Sequence, residues 1–177
     1  MGTAKRQSNK YKSPKKIWDK ARIDRDIELR KTYGFKNKKE LWKTESLLRR
    51  IRNRARKLIS LKALGKGQEE EKEFVRKLHS LGLVESDATV DDVLDLELTD
   101  FMERRLQTLV LKKKMARSIR ESRQVITHRH IQVGEKIVDT PSYMVKRDEE
   151  NKIVFAENSP LAAENHPIRT ANKESNV

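Results

Sequence analysis

Cysteine is absent from this sequence, which excludes disulfides and cysteine-ligated zinc. Long apolar runs are absent too. No stretch approaches the length of a membrane span, and no apolar signal-type segment follows the N-terminus. A glycine-rich phosphate loop, a nucleophile elbow and an HExxH pattern are all missing. Apolar residues are scarce, at 35% against 38% charged, which is lean for a core and rich for a surface. The expectation is a soluble intracellular protein with no catalytic residue, metal site, cofactor, membrane contact or small-molecule substrate.

What the sequence has is positive charge. Over 177 residues the formal balance is +14, with a pI near 10.0. A field of that sign calls for a polyanion, nucleic acid first and an acidic membrane surface second. The charge is unevenly placed. Residues 1–67 hold 23 Lys/Arg and 6 Asp/Glu, net +17, whereas residues 68–100 hold 3 and 11, net −8. Residues 101–133 hold 9 and 2, net +7, and residues 134–177 hold 6 and 8, net −2. A single charged run is ordinarily a solvated face. Two strongly basic blocks in one chain are better explained by nucleic-acid binding. The acidic stretch 68–100 reads as a solvated joint between them, or as a face turned toward a basic neighbour.

Periodicity predicts helices first and strands last. One helix is expected from about Trp18 to Tyr33, with Gly34 as its stop. In the next, Asn37 is the N-cap and Glu40 completes a capping-box pattern. Leu41, Leu48, Ile51, Ala55 and Leu58 form one stripe of it, and Gly65 and Gly67 end it. A third helix carries Phe74, Val75, Leu78 and Leu81 and stops at Gly82, with acidic residues in its N-terminal turn where the helix dipole favours them. Thr89 with Asp92 opens a short helix. Thr99 is expected to cap one that runs through "DFMERRLQTLVLKKK", with Phe101, Leu106, Leu109 and Val110 inward and basic residues outward. "SIRESRQVITHR" follows, with Ile119, Ser122, Val125 and Ile126 as its inner face. The period then changes. "HIQVGEKIVD" alternates around a glycine turn, and "PSYMVKRDEENKIVF" adds one or two strands.

The strongest basic signal is "RRIRNRARK", where Arg49, Arg50, Arg52, Arg54, Arg56 and Lys57 surround a narrow apolar seam. Such a helix repels itself unless something anionic lies against it. Arginine's planar fork suits bidentate phosphate contacts and stacking on bases. A solvated face with snorkelling arms is the plain alternative. A second set comprises Arg104, Arg105, Lys112, Lys113, Lys114, Arg117, Arg120, Arg123 and Arg129. On a helix, Arg117, Arg120 and Gln124 share a side, with Arg123 on a neighbouring face. This pattern tracks phosphates rather than reading bases.

These residues carry a resemblance. Glu103 to Val145 resembles the S-four RNA-binding domain, a small fold of two helices and a strand-rich segment. The matching positions are Arg105-Leu106, Ala116-Arg117-Ser118, Ser122-Arg123, His130-Ile131 and Pro141-Ser142; the family usually has Ala where Ser122 stands. The flanks "YGFKNKKELWK" and "DFMERRLQTLVLKKKMA" resemble the archaeal and eukaryotic branch of the S-four family of small-subunit ribosomal proteins. That likeness covers about Tyr11 to Pro160. The long basic C-terminal extension of many eukaryotic members is missing, which points to an archaeal source.

The fold class expected is α+β: a mainly helical N-terminal module plus a small S-four-type domain of two helices and a short β-sheet, with extended termini. The expected divisions are a basic N-terminus at 1–16, a helical rRNA-binding module at 17–98, the S-four domain at 99–160 and a tail at 161–177. The resemblance implies a cytoplasmic structural component of the small ribosomal subunit. It implies a primary binder that docks at a multi-helix junction of the 5′ domain of small-subunit ribosomal RNA and nucleates assembly. It also implies neighbouring ribosomal proteins as partners, proximity to the path by which mRNA enters, and a contribution to translational accuracy. An RNA-modifying or ribosome-associated accessory factor is the alternative. A pseudouridine synthase would need a separate catalytic domain, and residues 1–98 are too few and too helical to supply one. A basic DNA-compacting protein is the third reading, and no base-reading helix supports it.

His128 and His130 stand two apart around Arg129. On an extended segment they point the same way. A metal would need further ligands, and His79 and His166 lie in other segments. The matched domain has a histidine at the position of His130, at the helix-to-strand junction. Contact with RNA and a structural role at that junction both remain open, with Arg129 as a phosphate contact. Ser118 joins the RNA-facing set through the same match.

Overall fold

The computed structural model describes residues 9–163. Helix α1 spans Lys20–Tyr33. It starts two residues later than Trp18 because Asp19 caps it, accepting from the Arg22 amide at 3.5 Å. Gly34 ends it at φ 64°, and its N–H donates to the Arg30 carbonyl. Only glycine fits here for a second reason. A Cβ would stand 2.7 Å from Gln107 Nε2 and 2.8 Å from Ile119 Cγ1.

Helix α2 spans Lys38–Ala63, and the Asn37 side chain accepts from the Glu40 amide at 3.2 Å. The carboxylate of Glu40 does not reach back to complete a capping box. It turns instead to Arg105 and Arg123. Helix α3, Gln68–Ser80, buries Phe74 and Leu78. Gly82, at φ 70°, gives way to Arg104, whose Cζ would lie 2.8 Å from any Cβ there. Helix α4 is a single turn, Asp92–Asp95, where the Thr89 amide and hydroxyl donate to Asp92 Oδ2 at 2.7 and 3.0 Å.

The continuous helix expected through "DFMERRLQTLVLKKK" is two: α5, Leu98–Glu103, and α6, Leu106–Lys112. The N-cap of α5 is Glu97, not Thr99, with the Glu97 amide donating to Asp100 Oδ2 at 2.7 Å. The break falls at Arg104-Arg105 because the chain there pairs with a distant segment. Arg105 is extended (φ −71°, ψ 141°) and bridges Met144. The Leu106 amide donates to the Tyr143 carbonyl at 2.8 Å, and the Val145 amide to the Arg104 carbonyl at 3.1 Å. Helical periodicity continues across the break in sequence, so no local signal marks it.

Helix α7, Ile119–Thr127, is capped by Ser118, whose Oγ accepts from the Glu121 amide at 3.2 Å. Strands β1 (Ile131–Val133) and β2 (Lys136–Ile137) form the expected hairpin, with Gly134 at φ 63° in its turn. Strand β3, Ile153–Phe155, pairs antiparallel on the other side, giving the order β2-β1-β3. Between Met144 and β3 a short helix, α8 (Arg147–Glu150), stands where the sequence pattern allowed a strand.

Among the described residues the core has three clusters. One gathers Leu48, Ala55, Leu58, Phe74, Leu78, Val93 and Phe101 from α2 to α5. A second gathers Leu106, Val110, Val125, Ile126, Ile131, Val145 and Ile153 around α6, α7 and the sheet. Phe35, Leu41 and Met102 form a third, small one. Each large side chain so buried contributes about 1.5–3 kcal/mol.

Candidate nucleic-acid interface

Helix α2 turns its apolar stripe inward, so its arginines are left outside by period alone. Arg49, Arg50, Arg54, Arg56 and Lys57 are exposed. Arg54 holds its guanidinium 5.2 Å from the Phe74 ring centroid, which stiffens it while leaving its edge free. Arg52 is half-buried and donates from Nη2 to the Leu96 carbonyl at 2.7 Å.

Two basic concavities extend this surface. One, of about 720 Å³, is lined by Lys12, Lys15, Arg22, Arg25, Arg49, Arg52 and Arg56, with Glu45 as its acidic member. Burial pushes the Glu45 carboxyl up, as does the nearby charge of Asp26. The N-terminal segment is held against α2 here. The Lys12 amide donates to Ser46 Oγ at 3.0 Å, and Tyr11 packs on Trp42 with ring centroids 5.9 Å apart.

The other concavity, of about 900 Å³, lies between the end of α1 and the face of α7. Arg30, Lys31, Lys36, Arg120 and Arg123 line it together with Gln124, and among the described residues no carboxylate does. The fold thus brings together cations more than eighty positions apart, since Arg123 and Gly34 are separated by 89 residues. Arg30, Lys31 and Lys36 were not picked out from the sequence. Their only signal there was the heavy positive balance of residues 1–67.

The second basic set divides in the structure. Lys112 and Lys114 are exposed, and Lys112 pairs with Glu103 at 3.0 Å. Lys113 donates to the Glu150 carbonyl. Arg117 and Arg120 are exposed. Ser118 spends its hydroxyl on the cap of α7. Arg104, Arg105 and Arg123 do not stand on an outward basic face. Arg104 donates to the Leu81 carbonyl at 3.0 Å, to Glu150 at 2.6 Å and to the Val145 carbonyl at 3.0 Å. Arg105 is 3% exposed, stacks over the Phe35 ring at 4.6 Å and pairs with Glu40 at 3.1 Å. Arg123 pairs with the same Glu40 at 2.7 Å. Burial alone would raise the Glu40 carboxyl. The hydrogen bonds and charges of Arg123 and Arg105 outweigh it and hold the group below its usual range. Arg105 is itself lowered by burial, with Glu40 opposing.

Arg129 is exposed at φ 62° and lies 3.5 Å from Asp139. His128 and His130 stack with their planes 5° from parallel and centroids 6.2 Å apart. His130 Nδ1 is hydrogen-bonded to Ser159 Oγ at 2.9 Å, its amide donates to the Val125 carbonyl and its carbonyl accepts from Ala156. The residue therefore ties α7, β1 and the segment after β3 together. With Gln124 the two imidazoles border a hollow of about 270 Å³. Among the described residues no group of three or more His, Cys, Asp or Glu is placed to hold a metal ion. His166 lies outside the described residues. No described helix is long and apolar enough to cross a membrane.

Comparison with known proteins divides the chain at the same break, between residues 103 and 104. Residues 5–103 match the family model of the ribosomal protein S4/S9 N-terminal domain, and residues 104–151 match that of the S4 domain. The small ribosomal subunit protein uS4 of Nanoarchaeum equitans is 46% identical over 93% of this chain and 92% of its own. Its namesake from Hyperthermus butylicus is 45% identical over 92% of each chain. That of Picrophilus torridus is 43% identical over 96% of this chain and 93% of its own.

Proposed function

The chain belongs to the uS4 family of small-subunit ribosomal proteins, and on that premise we propose how it holds RNA. It is a structural, non-enzymatic component of the small ribosomal subunit in the cytoplasm, and it binds ribosomal RNA. The alternative of an RNA-modifying factor falls with the family.

The observation that carries the proposed mode of binding is the acid-free cleft between α1 and α7. Five cations from two parts of the chain line it, and of these Arg123 has its charge paired with Glu40 behind the wall. A backbone entering there meets Arg30, Lys31 and Lys36 on one wall and Arg120 with Gln124 on the other. Phosphate neutralisation releases counterions and supplies affinity, while the rigid spacing of the walls selects RNA shape. The outer face of α2, with Arg49, Arg50, Arg54, Arg56 and Lys57, takes a second strand or helix. Lys112, Lys114, Arg117 and Arg129 extend the surface over the C-terminal domain. Arg104, Arg105 and Arg123 act one step behind, holding the walls in register. We assign residues 17–98 to the helical rRNA-binding module and 99–160 to the S-four domain; two separate core clusters support two modules, although Phe101 packs with the first and puts the join between the clusters nearer Arg104-Arg105.

Family membership supports the finer reading as well. The protein docks at a multi-helix junction of the 5′ domain of small-subunit ribosomal RNA early in assembly. It touches neighbouring ribosomal proteins and lies near the path by which mRNA enters, where it contributes to accuracy. Protection of the RNA in an assembly time course tests this. The 5′-domain junction should become protected with this chain alone, before other proteins are added. Protection that requires other proteins first would contradict a primary-binder role.

A further inference from the structure

Trp18 is 89% exposed and Ile17 is 67% exposed, the two most exposed large apolar residues among those described apart from Leu64. Exposure of this kind on a disordered end would mean little, but this segment is fixed. Asp19, the next residue, caps α1. Arg22 Nη1 reaches back to the Lys16 carbonyl at 3.5 Å. Upstream, Lys12 and Tyr11 are anchored to α2 through Ser46 and Trp42. The indole is therefore presented at a defined place, almost wholly uncovered among the described residues.

The surroundings say what would cover it. Lys15, Lys16 and Lys20 flank Trp18 in sequence and are exposed. Lys15 and Arg22 also line the concavity with Lys12, Arg25 and Arg49. A protein partner seated on the indole would have to be acidic to tolerate these cations. A nucleic acid meets both demands at once, with phosphates on the lysines and a base on the ring. Indole offers the largest π-face of any side chain, and stacking on it tolerates any base. We propose that Trp18 is a base-stacking residue: it takes an unstacked nucleobase of the bound RNA while the concavity beside it tracks the adjoining phosphates. This rests on the ribosomal RNA reading above.

The test uses the full chain and a transcribed 5′ domain of small-subunit ribosomal RNA. Trp18→Phe and Trp18→Ala leave the fold intact because the side chain touches almost nothing. Subtracting the emission of Trp18→Phe from that of the native chain isolates Trp18 from Trp42. Stacking predicts strong quenching of that difference signal on adding RNA. It also predicts an affinity loss of roughly tenfold for Trp18→Ala and a much smaller loss for Trp18→Phe. Native chain that binds the RNA with unchanged Trp18 emission, and Trp18→Ala that binds equally well, would overturn the proposal while leaving RNA binding itself standing. Emission that changes only on adding other small-subunit proteins would also overturn it, by making the indole a protein contact. Failure of the native chain to bind the RNA at all would count against the ribosomal reading instead.

Discussion

Arg105 Nη2 donates to Glu40 Oε2 at 3.1 Å across 65 residues of sequence. The same carboxylate receives Arg123 Nη2 on its other oxygen at 2.7 Å. One acid at the start of α2 thus holds two bases of the C-terminal domain. The pair sits beneath the cleft that Arg123 helps to line. It is the joint on which the spacing of the two cleft walls depends.

Glu40→Gln should lower unfolding free energy by about 3 kcal/mol, because it leaves a buried guanidinium without its counter-charge. Urea unfolding followed by circular dichroism reads this. A loss below about 0.5 kcal/mol, typical of a surface substitution, would mean the pair is not a structural joint. Arg105→Lys should also destabilise, since lysine cannot keep both the fork to Glu40 and the stack on Phe35.

The pair also has a pH signature. The folded-state pKa of Glu40 is held below the ordinary value of 4.5 by its arginines. Its contribution is then complete above about pH 5 and lost as pH falls through the folded pKa. Glu45 works the opposite way, because burial raises its pKa. The readout is therefore the difference in stability between native chain and Glu40→Gln. It should be flat near neutrality and shrink in acid. A difference that stays constant down to pH 2 would contradict the assignment.

The outer face of α2 makes a prediction of the contrary kind. Arg50, Arg56 and Lys57 are exposed, and none of the ion pairs found among the described residues uses them. Changing all three to Gln should leave stability within about 0.5 kcal/mol per site, or improve it by relieving repulsion along the helix. RNA affinity should fall, and the slope of log K against log salt should become shallower by roughly 2, at about 0.7–0.9 per phosphate contact. An unchanged slope would return this face to the solvated role that a charged run ordinarily has.

The two histidines separate cleanly. His130 bonds Ser159 at 2.9 Å and is half-buried, while His128 is exposed. Ser159→Ala should cost about 1–2 kcal/mol of stability, because it removes both the hydrogen bond to His130 and the one its hydroxyl accepts from the Leu161 amide. His128→Ala should cost almost none, so that any effect it has will show in RNA binding. Thermal melts of the two variants distinguish these outcomes. Equal destabilisation by both would contradict the division.

Much of this was legible in advance, and the exceptions share a cause. Gly34 as a helix stop, Asn37 as a cap and the Gly134 turn act through neighbours within a few residues, and those roles could be read locally; the cap that Ser118 gives α7 was not read, and the second constraint on Gly34, from Gln107 and Ile119, comes from far along the chain. The break at Arg104-Arg105 could not, because its partners are Tyr143 to Val145, far along the chain. The inward turn of Arg105 was hidden for the same reason. An arginine beside another arginine looks like part of a basic face until the acid that meets it, Glu40, is placed in space. Glu40 itself was read as a capping residue, which its spacing from Asn37 allows. Tertiary pairing outbid the cap. The cleft cations Arg30, Lys31 and Lys36 form no run of their own, and only folding sets them opposite Arg120.

The most direct test of the central claim is a salt series of binding by the full chain. Affinity for a transcribed 5′ domain of small-subunit ribosomal RNA is compared with that for tRNA and for duplex DNA. The account predicts a steep dependence on salt for all three, with a clear preference for the ribosomal RNA that persists as salt rises, because the cleft recognises shape as well as charge. Equal affinity for the three polyanions at every salt concentration would contradict it.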